Sequence, residues 1–257
     1  MPAAELRALI ETRVEERLGG RFPAPLGWRQ KPAAQTAPTG IPEVDALTGG
    51  LPRGALTEVY GPGSSGRTAL LLSLLAEFTQ RQELCALVDA DDCFNPASAA
   101  AAGVELGCLL WVRCGKEASS RQPAAGGKNN DKTLGNVDRA LRAADLVLQA
   151  GGFGLVALDL GDVPAATARH VPLTSWFRFR RAVEETPAAL LLLTQEALTG
   201  TCAALTLKLE ATAPTASPEL PAHARLLGGF SVAVEMARSA SARRPGSGMK
   251  AAFATDL

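Results

Sequence analysis

A glycine-rich loop constrains this chain more than any other stretch of its sequence. The loop follows a strand-like run, residues 56–60, and precedes an apolar helix-like run, residues 69–75. A strand, a glycine-rich loop and a helix in this order are the setting of the phosphate-binding pattern G-x-x-x-x-G-K-[ST], whose backbone N–H groups surround an anion at the helix N-terminus. The residues predicted to bind nucleotide phosphates are Gly61, Pro62, Gly63, Ser64, Ser65, Gly66, Arg67 and Thr68.

One position of the loop departs from that pattern. Arg67 stands where the pattern has lysine, whereas Thr68 supplies the hydroxyl that ligates Mg²⁺. Arginine is a planar fork rather than a compact point charge, so it does not simply replace lysine between phosphate groups. The loop therefore predicts phosphate binding and leaves nucleotide hydrolysis open.

Composition is that of a globular protein without an overall electric field. Of the 257 residues, 47% are apolar, and 26 basic residues balance 26 acidic ones, so charge alone does not favour a nucleic-acid binder. The two histidines and five cysteines lack the spacing of metal ligands. No apolar run reaches the roughly 18 residues of a membrane span, and no signal-like segment opens the sequence. We therefore expect a cytoplasmic protein without membrane contact.

Alternating strand and helix patterns extend over most of the chain. Apolar runs at 84–89, 154–160 and 188–194 are typical of strands buried on both faces, and stretches with helical spacing separate them. This alternation predicts an α/β fold, in which helices flank a mostly parallel sheet. Residues 203–209 and 230–236 are expected to pair as antiparallel edge strands.

The chain is predicted to have three regions. Residues 1–38 hold an amphipathic N-terminal helix and a proline-rich tether, residues 39–238 form the core with a flexible loop at 115–131, and residues 239–257 form a basic flexible tail. The N-terminal helix, 3–18, either docks on its own domain or packs on a neighbouring subunit. It is therefore the candidate for self-association.

Acidic and amide side chains follow the predicted strands. Asp89 and Asp91 come after the second strand of the core, Asp159 ends a later strand, and Gln195 follows the most apolar one. Ligands of open parallel sheets lie beyond the carboxyl ends of the strands. Asp159 is thus the candidate Mg²⁺ ligand, together with Thr68. The alternative is that such residues only cap the turns that follow.

A cluster of aromatic and basic residues permits two interpretations. The arginines of 178–181, beside Trp176 and Phe177, are a candidate nucleic-acid surface on which bases stack. Trp176, Phe179 and Val183 recur at helical spacing, however, which predicts an amphipathic helix with its aromatic side chains against the sheet. The second interpretation is favoured.

Over residues 39–210 the sequence resembles the core of the bacterial RecA recombinase. The segment 39–62, which includes Gly49-Gly50 and ends in Gly61-Pro62, is similar to the segment that enters the RecA phosphate loop. The segment 87–110 is similar to the second RecA strand and the turn beyond it. Asp159 and Gln195 match the Walker-B aspartate and the phosphate-sensing glutamine of that family. The resemblance implies a RecA-like P-loop core.

The departures from RecA concern catalysis and DNA binding. Asp91 stands at the family's catalytic glutamate and is one methylene shorter, and Arg67 stands at its P-loop lysine. The segments that match the two DNA-binding loops, 161–171 and 196–203, are short. Strand exchange is therefore not expected, and Asp91 and Gln195 remain as candidate catalytic residues for ATP hydrolysis.

A RecA-like core with these departures resembles the ImuA family. That resemblance implies an accessory protein of the damage-inducible SOS response that takes part in mutagenic translesion DNA synthesis. It implies an adaptor with weak or absent ATP hydrolysis and with ATP and Mg²⁺ as candidate ligands. The implied partners are an ImuB-like Y-family polymerase-like protein, a translesion polymerase α subunit through the complex, and at most weakly bound DNA. Two alternatives stay open: an active RecA-like DNA-stimulated ATPase and a SulA-like cell-division inhibitor.

Overall fold

The computed structural model describes residues 35–115, 129–184, 186–216, 227–240 and 249–256. These residues belong to one compact unit, Gln35–Leu257, which is distinct from the unit of residues 1–34. The predicted N-terminal helix, 3–18, and most of the predicted loop at 115–131 therefore lie outside the described residues.

Strands and helices alternate along the described residues. The strands are β1 (Thr36–Ala37), β2 (Leu51–Pro52), β3 (Ala55–Tyr60), β4 (Cys85–Asp89), β5 (Leu109–Arg113), β6 (Leu155–Asp159), β7 (Ala189–Thr194), β8 (Leu205–Ala216), β9 (Leu227–Ser239) and β10 (Lys250–Asp256). The helices are α1 (Pro42–Thr48), α2 (Arg67–Gln80), α3 (Pro96–Ala101), α4 (Asn129–Ala150), α5 (Ala165–Ala168) and α6 (Leu173–Val183). No helix in these stretches has the length and apolarity needed to cross a membrane.

Eight of the strands form one mixed sheet in the order β10-β9-β8-β3-β7-β6-β4-β5. The six strands from β8 to β5 run parallel to one another, and β9 and β10 add antiparallel pairs beyond β8. The predicted α/β class, with a mostly parallel sheet flanked by helices, is confirmed.

Each face of the sheet carries its own apolar cluster, because strand side chains alternate between the two faces. On β4, Cys85 and Leu87 pack in the same cluster as the apolar side chains of α1 and α2. Ala86 and Val88 pack on the other face, with those of α4 and α6. Both layers are mostly aliphatic, and together they align the carboxyl ends of the parallel strands at a single edge.

Helix α6 buries its aromatic side chains, as its spacing predicts. Trp176 and Phe179 are each 1% exposed and contact each other edge to face, with ring centroids 6.0 Å apart. Arg178 is exposed and forms an ion pair with Asp145 of α4, at 3.1 Å between Nε and Oδ1. The amphipathic interpretation is therefore confirmed for this helix.

The antiparallel end of the sheet differs from the prediction in two respects. β8 and β9 pair as expected, but β8 also pairs with β3 and is an internal strand. The edge is β10, which pairs with β9 within residues that were predicted to form a flexible tail. The sequence did not predict this strand because Phe253, which is 5% exposed, is the only large buried apolar side chain of β10 and gives no alternating pattern.

The core also begins earlier than predicted. Thr36–Ala37 was assigned to the tether, yet it pairs with Leu51–Pro52 in a small antiparallel sheet. Ala37 is 2% exposed and belongs to the cluster that α2 packs against. A two-residue strand is too short to give a sequence period, so the pattern could not distinguish it from the tether.

Candidate functional site

The glycine-rich loop connects the carboxyl end of β3 to the first turn of α2. The Gly61 N–H donates to the Thr194 carbonyl at the end of β7, at 3.3 Å, and the Ser65 N–H donates to the Pro62 carbonyl, at 3.2 Å. Pro62, Gly63 and Ser64 are exposed, as is Thr68. The top of the loop is therefore open to a ligand from solvent, while its start is bonded to β7 and its middle is closed by a bond of its own.

Both glycines of the phosphate-binding pattern are required by close packing. A Cβ atom on Gly61 would lie 2.3 Å from the Leu209 carbonyl oxygen and 2.6 Å from the Ser65 hydroxyl. Gly66 has a φ of +92°, and a Cβ there would lie 2.5 Å from a methyl group of Val232. The loop is thus shaped by residues of β8 and β9, a contribution that the local sequence did not reveal.

Several buried polar atoms at this edge lack a hydrogen-bond partner among the described residues. They include Ser65 Oγ, Arg67 Nε, Asp91 Oδ2 and Thr194 Oγ1. Ser65 is 1% exposed and Thr194 is fully buried. Buried polar groups are normally paired, so such a group of atoms marks a place where water or the polar groups of a ligand complete the bonding.

Arg67 lies beneath the loop and connects two strand ends. Its side chain is 8% exposed, and Nη1 donates to the Gly161 carbonyl at 3.0 Å and to the Thr194 carbonyl at 2.8 Å. Burial lowers the pKa of the guanidinium, which the charges of Asp159 and Asp162 partly offset. The residue at the lysine position is therefore engaged with the backbone that follows β6 and β7.

Asp159 ends β6 next to Arg67 and accepts a hydrogen bond from the Gly161 N–H at 2.8 Å. Burial raises the pKa of its carboxyl to about 6; the Gly161 hydrogen bond lowers it, nearby Asp89 and Asp162 raise it, and Arg67 lowers it. A Cβ atom on Gly161 would lie 2.8 Å from Arg67 Nη1 and 2.9 Å from Asp159 Oδ1. A side chain at position 161 would therefore clash with both the guanidinium of Arg67 and the carboxylate of Asp159.

We expect Asp159→Asn to raise the free energy of unfolding at pH 7 by about 1 to 2 kcal/mol. The folded-state pKa is about 6, against 3.8 for the free side chain. As the pH rises between these values the unfolded chain loses its proton first, so the carboxyl destabilises the fold, and the penalty persists at higher pH. The full shift would correspond to about 3 kcal/mol; we expect less because the side chain is only partly buried.

Urea unfolding of both proteins at neutral and at acidic pH measures this difference. Asparagine keeps the acceptor for the Gly161 N–H, so the gain should shrink below about pH 6 and vanish below about pH 3, where the aspartate is protonated in both states. An equal gain at both pH values would show that ionisation is not its cause.

The two carboxylates after β4 have different surroundings. Asp89 is 3% exposed and accepts four hydrogen bonds, from the N–H groups of Asp91, Asp92 and Phe94 and from the Trp111 indole. Asp91 has one buried oxygen without a partner among the described residues, and burial, followed by Asp162 and Asp89, raises its pKa. Asp89 is therefore the cap of this turn, and Asp91 is the carboxylate that remains available.

Gln195 joins the same edge from β7. Its Nε2 donates to the Gly161 carbonyl at 3.2 Å, the oxygen that also accepts from Arg67. Gly161 is thus the common contact of Arg67, Asp159 and Gln195. A residue that the sequence placed in the glycine-rich loop and two that it placed at strand ends thus meet at one backbone position.

Glu58 is a buried residue of this region that the sequence analysis missed. It lies within β3, is 1% exposed, and accepts from the N–H groups of Leu198 and Thr199 and from the Thr199 hydroxyl, at 2.6 to 3.1 Å. These bonds hold the short connection between β7 and β8. A lone acidic residue in an apolar strand was the only signal, and it does not indicate a partner 141 residues away.

Comparison with known proteins agrees with this architecture. The family described as RecA N-terminal domain matches residues 6–119, somewhat less than half of the chain. Protein RecA of Prochlorococcus marinus is 40% identical over 162 residues, which cover 63% of this chain and 37% of that protein. Protein RecA of Lactobacillus acidophilus is 31% identical over 149 residues, which cover 57% and 36%.

The similarity thus covers only part of this chain and only part of each relative. The chain spans little more than a third of the length of these curated relatives. Within that span, the phosphate-loop pattern lies between a strand and a helix of a mostly parallel sheet. The chain thus has an α/β, RecA-like fold, and part of its sequence is similar to RecA proteins.

Proposed function

We propose that this protein is a non-recombinase, RecA-like accessory protein of a damage-inducible translesion DNA synthesis complex, of the ImuA type. The position of Arg67 carries the proposal. Its Nη1 donates to the carbonyls of Gly161 and Thr194, so the residue at the lysine position holds strand ends together. A guanidinium engaged in this way is poorly placed to stabilise charge on a phosphoryl group. The role that fits is an adaptor for an ImuB-like polymerase-related partner.

The connections that follow β6 and β7 support a protein that does not exchange DNA strands. Leu198 and Thr199 are bonded to buried Glu58, and Arg169 forms an ion pair with Glu196, which links the two connections to each other. Segments held at several points lack the freedom that a loop needs to follow single-stranded DNA. Direct DNA contact would then be weak and would not be the main activity.

Nucleotide binding is compatible with the loop. Its exposed top and the hydroxyl of Ser65, which has no partner among the described residues, suit a phosphate group, since backbone amides and hydroxyls hold phosphates without a lysine. The described residues contain no group of three or more His, Cys, Asp or Glu side chains able to hold a metal. Thr68 and Asp159 would therefore hold Mg²⁺ only together with phosphate oxygens, and the ion would neutralise phosphate charge there.

We expect ATP turnover by the purified full chain at least about 100-fold below that of a RecA protein assayed in parallel, since loss of one preorganised charge costs roughly 10² to 10³ in rate. Labelled ATP with and without single-stranded DNA measures it. Asp159→Ala is the control for site-specific hydrolysis. Turnover that DNA stimulates and that Asp159→Ala abolishes would replace the adaptor by an active ATPase.

A pull-down tests the adaptor role independently of hydrolysis. The full chain should retain an ImuB-like protein, and Asp159→Ala should retain it equally well, because the proposed role does not need turnover. Binding to a tubulin-like division protein without binding to the polymerase-like protein would favour the SulA-like alternative.

A further inference from the structure

Among the described strands, β10 forms the edge of the large sheet, and its outer side is left unpaired. β10 is the last strand in the sheet order, and no other described strand pairs with its outer side. Ala252 and Ala254 are exposed, whereas Phe253 between them is 5% exposed and packs into the core. The strand is thus anchored by one face and presents its outer backbone groups to solvent.

The register fixes which backbone groups face outward. The Met236 N–H donates to the Met249 carbonyl at 3.1 Å, so the backbone of Met249 faces β9. Backbone direction alternates along an antiparallel strand, and the pairing from Lys250 to Asp256 has no bulge. The outward-facing positions are therefore Lys250, Ala252, Ala254 and Asp256.

The interior of this edge lacks three of the sequence devices that normally prevent strands from pairing. Natural edge strands are protected by proline, bulges or charged residues in their middle. The interior of β10 is Ala251-Ala252-Phe253-Ala254-Thr255 and contains none of them. The irregularities of this part of the sheet lie between β8 and β9 instead. β10 is therefore a regular template for another extended strand.

We propose that β10 pairs with β10 of a second copy of this chain, antiparallel and about a two-fold axis at Phe253. In that register Lys250 lies opposite Asp256 of the second copy, and Ala252 lies opposite Ala254. The residues whose backbone groups face outward in one copy then lie opposite the corresponding residues of the other copy, as the hydrogen-bonded pairs of an antiparallel sheet require. Both ends carry opposite charges, and a shift by two residues would place Lys250 opposite an alanine.

The opposite charges at the two ends of β10 favour a second copy of this chain as the binding partner. A two-fold contact is self-complementary, so each residue meets a counterpart from the same strand. Lys250 also contacts Glu235 on β9 of its own chain, at 3.5 Å, but its side chain stays 64% exposed and is therefore accessible to a carboxylate of a second copy. On the face that carries the two charges, the side chains between them are those of Ala252 and Ala254, which are small, whereas Phe253 lies on the opposite face. A second copy therefore satisfies both the backbone and the charges of this edge.

Charge reversal tests the register. In Lys250→Asp alone, aspartate lies opposite Asp256 of the other copy, and in Asp256→Lys alone, lysine lies opposite Lys250. We expect each variant to dimerise about three- to thirtyfold more weakly than the wild type, because opposite charges in two cross-strand pairs become like charges. An equimolar mixture of the two variants restores opposite charges at both pairs, so it should dimerise about as well as the wild type.

Sedimentation equilibrium of the full chains measures these constants. Lys208→Asp is the matched control, since Lys208 forms an ion pair with Glu210 on internal strand β8, at 2.7 Å. Ala252→Pro removes an outward N–H at an edge position that tolerates proline, and it should abolish the dimer while the melting temperature stays close to that of the wild type.

Three outcomes would overturn the proposal. They are a wild-type chain that stays monomeric at about 100 µM, a mixture that associates no better than its separate components, and an Ala252→Pro chain that dimerises like the wild type. Association that survives all β10 substitutions would place self-association elsewhere, for instance at the N-terminal helix. A different protein bound at this edge would appear as a complex lost in Ala252→Pro without any wild-type dimer.

Discussion

Replacing Glu58 by alanine is expected to lower the free energy of unfolding by about 4 kcal/mol. The carboxylate accepts three hydrogen bonds from Leu198 and Thr199 inside the protein, where both Glu58 and Thr199 are at most 1% exposed. Alanine leaves two backbone N–H groups and a hydroxyl without an acceptor. Buried donors that lose their partner each cost about 1 to 3 kcal/mol, and the losses are not fully additive.

Glu58→Gln is the matched control for this substitution. Its carbonyl oxygen can accept from both N–H groups, and its amide can donate to the Thr199 hydroxyl, so only the ionic part of the bonds is lost. We expect a loss of about 1 kcal/mol. Urea unfolding followed by circular dichroism distinguishes the two. If Glu58→Ala cost no more than Glu58→Gln, the connection after β7 would not depend on this carboxylate.

Asp89→Ala is the second substitution for which we expect a large effect, a loss of about 4 kcal/mol in the free energy of unfolding. Four donors converge on this side chain, three from the turn after β4 and one from the Trp111 indole on β5. Without the carboxylate, the turn that places Asp91 at the sheet edge loses the common acceptor of its hydrogen bonds. The variant should therefore also free Asp92 to leave the left-handed conformation, φ +60°, that it has in this turn.

A double-mutant cycle with Trp111→Phe tests whether the four bonds act together. Trp111→Phe removes one donor and also alters the ring contact with Phe94, whose centroid is 5.3 Å away, so it should cost about 1 to 2 kcal/mol. In the Asp89→Ala background the same change should cost about 1 kcal/mol less, because its hydrogen-bond partner is already absent. Strict additivity would mean that the indole bond contributes nothing to the turn.

The parts of the fold that could be predicted from sequence are those with a clear period. β4, β6 and β7 are apolar on both faces, and α4 and α6 repeat their buried residues at helical spacing. β10 has a single large buried residue, and β1 has two residues in all, so neither gives a period. Pairing with a neighbour, rather than the local pattern, determines these strands.

The candidate site was predictable as a set of residues and not as a set of contacts. Asp159 and Gln195 were expected near the loop because parallel strands end at the same edge. That Arg67 and Gln195 share the Gly161 carbonyl depends on turns whose geometry no spacing encodes. Glu58 escaped attention because its partners lie on a distant connection.

The residues that pack against the glycine-rich loop determine whether the motif can keep its conformation outside this protein. The sequence motif occupies residues 61–68, but the close contacts of the loop are with Thr194, Leu209 and Val232. A fragment restricted to the RecA-matched window, 6–119, would carry the whole signature and none of these supports. The conformation of the loop thus depends on residues that come much later in the chain. A truncated protein would keep the sequence motif and lose the contacts that shape the loop.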